Sequence, residues 1–397
     1  MEPIVRPLMT VAEKKGKTFV AAEIPGIDIA DRPCYYRGQG RVRGSYIRVG
    51  DSDEPMTEYE IYSYEAFRRK YQDDVREIQN TDITALDYKM LSKYIALLKE
   101  GKPNLSNMDD TEIMELMSII RKGAVTLNAC ILFGRYPQVY YPQLCIIAIA
   151  VPGREIGEVD SNGARFIDNC RIEGNISQML NGALQFVRKN MKKMTVINHK
   201  TGQREERTEY PITVVREAVV NALVHRDYSI HTERMPIQIQ MYEDRMEIHN
   251  PGGIYGRIRI DQLGKVQPDT RNPVLTAAVE VIGITENRYS GIPTIRREMH
   301  GYGLGEPEFS DKRGNFCVCF YKAGRDISYT ESDVFGEEAK LISFCKIPRS
   351  RKEICAYLGL SSITYAMQAH VQPLIDAGLI KMSLPDKPKS SKQRYFS

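Results

Sequence analysis

Apolar and polar positions change their period several times along this chain, and each change marks an expected element. Over residues 1–75 short alternating runs (18–24, 33–36 and 44–50) are separated by the glycines of Arg37-Gly38-Gln39-Gly40 and by Asp51-Ser52-Asp53, which predicts a small β-rich unit of hairpins. Residues 57–99 then repeat apolar side chains at threes and fours, a helical connector, and residues 109–122 predict another helix with an acidic first turn. The continuous apolar run 144–151 reads as a buried strand, and 176–191 as an amphipathic helix. Residues 237–242 alternate, turn at Glu243-Asp244-Arg245 and return over 246–249 as a hairpin. A long polar loop (256–272) comes next, with helices over 274–282 and from Ser290 to about Met299, and a last strand over 315–321. Gly301-Tyr-Gly-Leu-Gly305 follows a helix rather than opening one, so it reads as a cap and turn. Beyond an acidic joint at 331–338, three helices (340–345, 352–358 and 362–377) precede two strands around the basic tip 385–392, the pattern of a winged helix.

The fold class is therefore α+β and multidomain. A β-rich unit spans 1–75, a helical connector with an α/β sandwich spans 76–330, and a winged helix spans 338–397. A chain of 397 residues is long enough for several cores.

The most unusual stretch is 216–229, a helix that is apolar on most faces but carries Glu217 and Asn221 four residues apart, on one side. His225, Arg226 and Asp227 crowd its end and read as an ion-paired turn, since no nucleophile accompanies them. Asn250-Pro-Gly252-Gly253 stands just beyond a strand end, where paired glycines let backbone approach a ligand. Arg257, Arg259 and Arg271 on the polar loop read equally as solvated charges or as a lid. Gly16-Lys17-Thr18 looks like the end of a phosphate loop, but Val11 occupies the place of its first glycine, so a hairpin turn is expected.

Composition narrows the classes. A net charge of +4 is too mild to announce nucleic acid for the whole chain, but from Lys346 onward nine basic residues face three acidic ones, giving +6. The eight cysteines form no CxxC pair and read as reduced core residues. Cys317 and Cys319 share one strand face, yet two thiols fall short of a zinc set. No apolar run reaches the ~20 residues of a membrane span, and the first residues do not form a signal peptide, so a cytoplasmic location is expected.

Glu217-x-x-x-Asn221-Ala222 resembles the N-box of the GHKL ATPases, the group of gyrase B, MutL and histidine kinases. With Asn250-Pro-Gly-Gly253, Arg271-Asn-Pro273, Ser290-Gly-Ile292 and Pro385-Asp-Lys-Pro388, the chain resembles more closely the bacterial RecG-like, AlbA-type transcriptional regulators, over nearly its whole length. The first residues, at 33–36 and 46–50, resemble the trailing part of an AlbA-type domain, also found in Schlafen proteins, without its usual acidic first strand.

That resemblance implies an ATP or ADP site with Mg²⁺. Asn221 would ligate the cation, Glu217 would act as general base, and Asn250, Gly252, Gly253, Ser290 and Gly291 would contact the nucleotide. Asn250 stands where the family places an aspartate. The resemblance also implies double-stranded DNA as partner, a homodimer, and a third C-terminal helix in the major groove. Tyr365, Gln368 and His370 would meet bases there, and Lys387, Lys389, Lys392 and Arg394 would contact phosphates. The expected function is a DNA-binding regulator that senses nucleotide. The residues leave open a Mg²⁺-dependent ATPase acting on DNA, an interaction scaffold with a decayed site, and a bland reading in which Glu217 and Asn221 pair with Arg216 or Arg226.

Overall fold

The computed structural model describes residues 1–14, 16–49, 52–197, 204–285, 290–322, 341–342, 344–358, 367–376, 379–384, 390 and 393–397. The chain divides into two compact units, 1–323 and 324–397.

The first unit is mixed α/β, built on a six-stranded mixed sheet. Its strands are β1 (Ile146–Ala150), β2 (Asp168–Ile172), β3 (Ile237–Met241), β4 (Arg245–Pro251), β5 (Glu308–Lys312) and β6 (Asn315–Tyr321), in the order β5-β6-β4-β3-β1-β2. β3 runs parallel to β1, and the other pairs are antiparallel. Arg313 and Gly314 form the two-residue turn between β5 and β6 with φ of 49° and 82°, the double positive φ that matches strand twist.

The longer helices among the described residues of this unit are α1 (Glu58–Arg69), α2 (Tyr88–Gly101), α3 (Ile176–Asn190), α4 (Ile212–His225), α5 (Pro273–Val281) and α6 (Gly291–Gly301). α3 packs on β1, β2 and α4, while α4 packs on β4 and α6. Small residues such as Ala183 and Ala218 let these elements approach closely, and Ile146, Ile239, Met246, Ile248 and Phe320 supply the sheet side of one continuous core. Burying each such large side chain contributes about 1.5–3 kcal/mol.

One long-range tie fixes the loop between β4 and α5. Asp74 is fully buried, and its Oδ2 accepts the N–H groups of Val274 (3.0 Å) and Leu275 (3.1 Å). Those are orphan donors of the first turn of α5, whose own N-cap, Asn272, makes no side-chain cap bond. A carboxylate two hundred residues away thus caps the helix.

Several local expectations change. The connector is two helices, α1 and α2, because Lys70 takes a left-handed conformation (φ 54°) and ends α1. Residues 37–44 coil helically instead of forming a hairpin, with Gly44 backed so closely onto Tyr36 that a Cβ would lie 2.6 Å from its carbonyl oxygen. The helix expected over 109–122 stops at Leu116, and positive φ at Ser118 and Lys122 turns the chain into a short ribbon. The strands β2 and β5 were not expected, since both are edge strands with mostly polar sequences. The run at 301–305 is a helix end, as read, with Gly303 at φ 69°.

In the second unit, a helix over Arg351–Tyr357 starts with a Ser350/Glu353 capping box. Helical turns cover Met367–Val371 and Gln372–Asp376, and Lys381–Met382 pairs antiparallel with Tyr395–Phe396. Leu341, Cys345, Ile354, Val371, Leu374, Ile380 and Tyr395 form its core. Residues 359–366, where the expected third helix starts, lie outside the described residues. Among the described residues, no helix is long and apolar enough to cross a membrane.

Replacing Asp74 by alanine removes the distant cap, and the loss expected for a helix cap is about 1–2 kcal/mol. A urea midpoint lowered with unchanged slope is the expected result; an unshifted midpoint would remove Asp74 from the account of α5.

Candidate functional site

α4 explains itself from its sequence. Pro211 sits at the N-cap with φ of −61°, the helix starts one residue later, and Val214, Val215, Ala218, Val219, Val220, Ala222, Leu223 and Val224 are buried. Glu217 and Asn221 are half-buried and face α6, where Gly291 is backed onto them. A Cβ at position 291 would lie 3.0 Å from Asn221 Nδ2 and closer still to Glu217 Oε1, so a larger residue there would displace the ends of these two side chains. Among the described residues, the hydrogen bonds of Arg216 and Arg226 go to backbone carbonyls. Arg216 donates to the Ile284 carbonyl (2.6 Å), and Arg226 to those of Thr232 (3.2 Å) and Met235 (2.6 Å).

The end of α4 is held by its neighbours. Asn272 is fully buried, and its Nδ2 donates to the carbonyls of Val224 (2.9 Å) and Arg226 (2.8 Å), closing the open C-terminal end of the helix. This gives Arg271-Asn-Pro273 a physical role: Asn272 closes one helix and Pro273 opens the next. Asp227, 2% exposed, pairs with the buried Arg271 guanidinium and accepts from Tyr59 Oη (2.8 Å) and the Ser229 N–H (2.8 Å). Burial pushes the Asp227 carboxyl up, but the Arg271 charge and these donors outweigh it and hold its pKa below the ordinary value. The turn is thus ion-paired, as read. Arg271 is neither solvated nor a lid: it also donates to the Gly253 carbonyl (3.1 Å) and lies over the Tyr255 ring. Arg257 and Arg259, by contrast, are exposed beside the loop carboxylates Asp269 and Asp261.

Gly252 packs against this pair. Its φ is 104°, and a Cβ there would meet Asp227 Cβ at 2.6 Å. Gly253 abuts the carboxylate of Asp311 on β5, which accepts the Ile254 N–H at 2.8 Å. Just before them, Asn250 is 5% exposed, and its Oδ1 has no hydrogen-bond partner among the described residues.

These elements enclose one cavity of about 1020 Å³, and Glu217, Asn221, Asn250, Gly252, Gly253, Ser290 and Gly291 all line it. Three separate segments therefore converge on one space, of a size at the upper end for small-molecule sites. His225 opens onto the same cavity. The residue is solvent-exposed, and the protein packed around it, then the positive Arg271, shift its pKa downward. Sequence reasoning missed Tyr59, Asp74, Asp311 and the Asp227–Arg271 pairing; the one available signal was three polar residues ending an otherwise apolar helix.

In the second unit, Gln368 and His370 lie in the helical turn Met367–Val371, and Arg394 precedes the last strand, its N–H donating to Ser383 Oγ (2.9 Å). Tyr365, Lys387, Lys389 and Lys392 lie outside the described residues.

Residues 235–320, from β3 to β6, match the family described as "Putative ATP-dependent DNA helicase recG C-terminal". This segment is an ATPase-like domain. It carries Asn250, Gly252, Gly253, Ser290 and Gly291, whereas Glu217 and Asn221 precede it in the chain. Residues 339–396 match the family described as "Filamentation induced by cAMP protein Fic-like, C-terminal domain". No curated protein matches the chain. Among solved structures, the DIP2311 protein from Corynebacterium diphtheriae is similar, with 16% identity over 92% of this chain and 72% of that one and a TM-score of 0.47.

Replacing Arg271 by methionine leaves Asp227 buried without its counter-charge, and the expected loss at pH 7 is about 3–5 kcal/mol. Because the native pKa of Asp227 is depressed, the stability it contributes is present above the ordinary aspartate pKa and is lost as pH falls through the native one. The gap between wild type and variant in urea unfolding should therefore narrow below about pH 4. A gap independent of pH would contradict the pairing.

Proposed function

We propose that the cavity binds ATP or ADP with Mg²⁺ in a GHKL-like sandwich, and that the chain acts as a nucleotide-sensing regulator on double-stranded DNA. The convergence of seven lining residues from three segments carries this reading, together with the Asn250 amide oxygen, which is unpartnered among the described residues. A buried acceptor without a donor costs about 1–3 kcal/mol, which a nucleobase amino group would relieve. Asn250 thereby takes the adenine-facing role that an aspartate holds in the resembling family. Gly252 and Gly253 present backbone to the ligand, and the N-terminus of the eleven-residue α6 offers N–H groups to phosphate. Asn221 supplies an amide oxygen suited to a hard cation. Bound Mg²⁺ would neutralise phosphate charge.

The same geometry favours sensing over hydrolysis. The glycine-rich phosphate box of the resembling family is reduced here to Ser290-Gly291 at the start of α6. The charge of +6 from Lys346 onward supports the C-terminal unit as a winged helix, with Gln368 and His370 toward bases and the Lys387–Lys392 segment and Arg394 toward phosphates. A homodimer in the cytoplasm completes the proposal.

Calorimetry of the full chain tests the nucleotide site. Mg-ATP should bind, Asn250→Ala and Asn221→Ala should each weaken it about tenfold, the effect of one lost hydrogen bond or ligand, and Glu217→Gln should leave the slow phosphate release unchanged. No heat from the intact chain ends the nucleotide reading, and a collapse of phosphate release in Glu217→Gln makes the chain an ATPase. For DNA, neutralising Lys387, Lys389 and Lys392 should make the plot of log affinity against log salt shallower by about 2–3, near 0.9 per lost phosphate contact. An unchanged slope moves the contact elsewhere.

A further inference from the structure

We propose that the sheet face opposite the cavity carries a Zn²⁺ site formed by Glu247, His249 and Cys317. The site is independent of the nucleotide reading, since strand alternation sends Ile248 and Asn250 toward the cavity and Glu247 and His249 away from it. Glu247 and His249 are two apart on β4, and Cys317 on β6 stands directly opposite His249. Residues at i, i+2 and the cross-strand partner put three donors on one face of a sheet, within reach of one ion.

The distances suit zinc. His249 Nε2 lies 2.9 Å from Glu247 Oε2 and 3.8 Å from Cys317 Sγ, and the three donor atoms all lie within 4.8 Å of one another. Zinc bonds of about 2.0–2.3 Å in a tetrahedron set donors about 3.3–3.8 Å apart, so small side-chain shifts complete the set. The side chains of Glu247 and His249 are 18% and 25% exposed, held by the sheet but reachable from solvent. Arg245 Nε holds the other Glu247 oxygen, Oε1, at 2.6 Å, an orienting contact that leaves Oε2 for the metal. Imidazole, thiolate and carboxylate together favour Zn²⁺ over Mg²⁺ or Ca²⁺, which prefer oxygen ligands alone. A water fills the fourth position, as in other three-ligand zinc sites. Cys319 faces the same way but lies outside this donor group, so it serves as the control.

The full chain, reduced and freed of metal with a chelator, is titrated with Zn²⁺ against a chromophoric competitor and separately with Co²⁺. One ion per chain is expected, with a thiolate-to-cobalt charge-transfer band. His249→Gln and Cys317→Ser should each weaken Zn²⁺ binding by about a hundredfold or more, beyond the 10–100-fold typical of an outer-shell contact. Cys317→Ser should also remove the band, while Cys319→Ser keeps both band and affinity. Circular dichroism of each variant checks that the fold is retained. Absence of equimolar Zn²⁺ binding by the folded wild type, or unchanged binding in folded His249→Gln and Cys317→Ser, overturns the site.

Discussion

The buried pair of Asp227 and Arg271 is the interaction on which the cavity depends. Asp227 ends the turn after α4, and Arg271 ends the loop before α5, so their contact fixes two walls relative to each other. Taking two charges out of water is costly, and the surrounding groups offset it: Tyr59 and Ser229 donate to the carboxylate, and Arg271 reaches the Gly253 carbonyl. Gly252 needs no side chain because the pair occupies the space behind it. The pair therefore also sets where the backbone after Asn250 runs.

Around it, the buried Asn272 and Asp74 and the exposed Asp311 organise backbone. Asn272 closes the end of α4, Asp74 caps the start of α5, and Asp311 receives the Ile254 N–H. Asn272 and Asp74 satisfy main-chain groups at the end of α4 and the start of α5, and Asp311 satisfies one on the irregular path after β4. Such a loop stays ordered through side-chain hydrogen bonds, and the ATPase-like segment owes its cavity to them.

Much of this was legible in the sequence where one periodicity dominated. The alternation of β3 and β4, the apolar run of β1 and the one-sided polarity of α4 each announced an element, and glycines marked the approach beside Asn250. The edge strands β2 and β5 were not legible, because one face of an edge strand meets solvent and its sequence resembles a loop. Partnerships across the chain were equally silent. Arg271 looked like any loop arginine until the fold brought Asp227 to it, and the single strand holding Cys317 and Cys319 gave no hint that His249 would stand opposite. The candidate nucleotide residues converged because each already carried a local signal, a glycine or an amide in an apolar setting. Half-buried alternation on the far face carried none.

The central claim, a nucleotide in the cavity between α4, α6 and the Gly252–Gly253 turn, is tested most directly by a crystal structure of the full chain soaked with Mg²⁺ and a non-hydrolysable ATP analogue. The account predicts density for the base beside Asn250 Oδ1 and for the phosphates at the N-terminus of α6. An ordered analogue bound anywhere else, with this cavity holding only water, would contradict it.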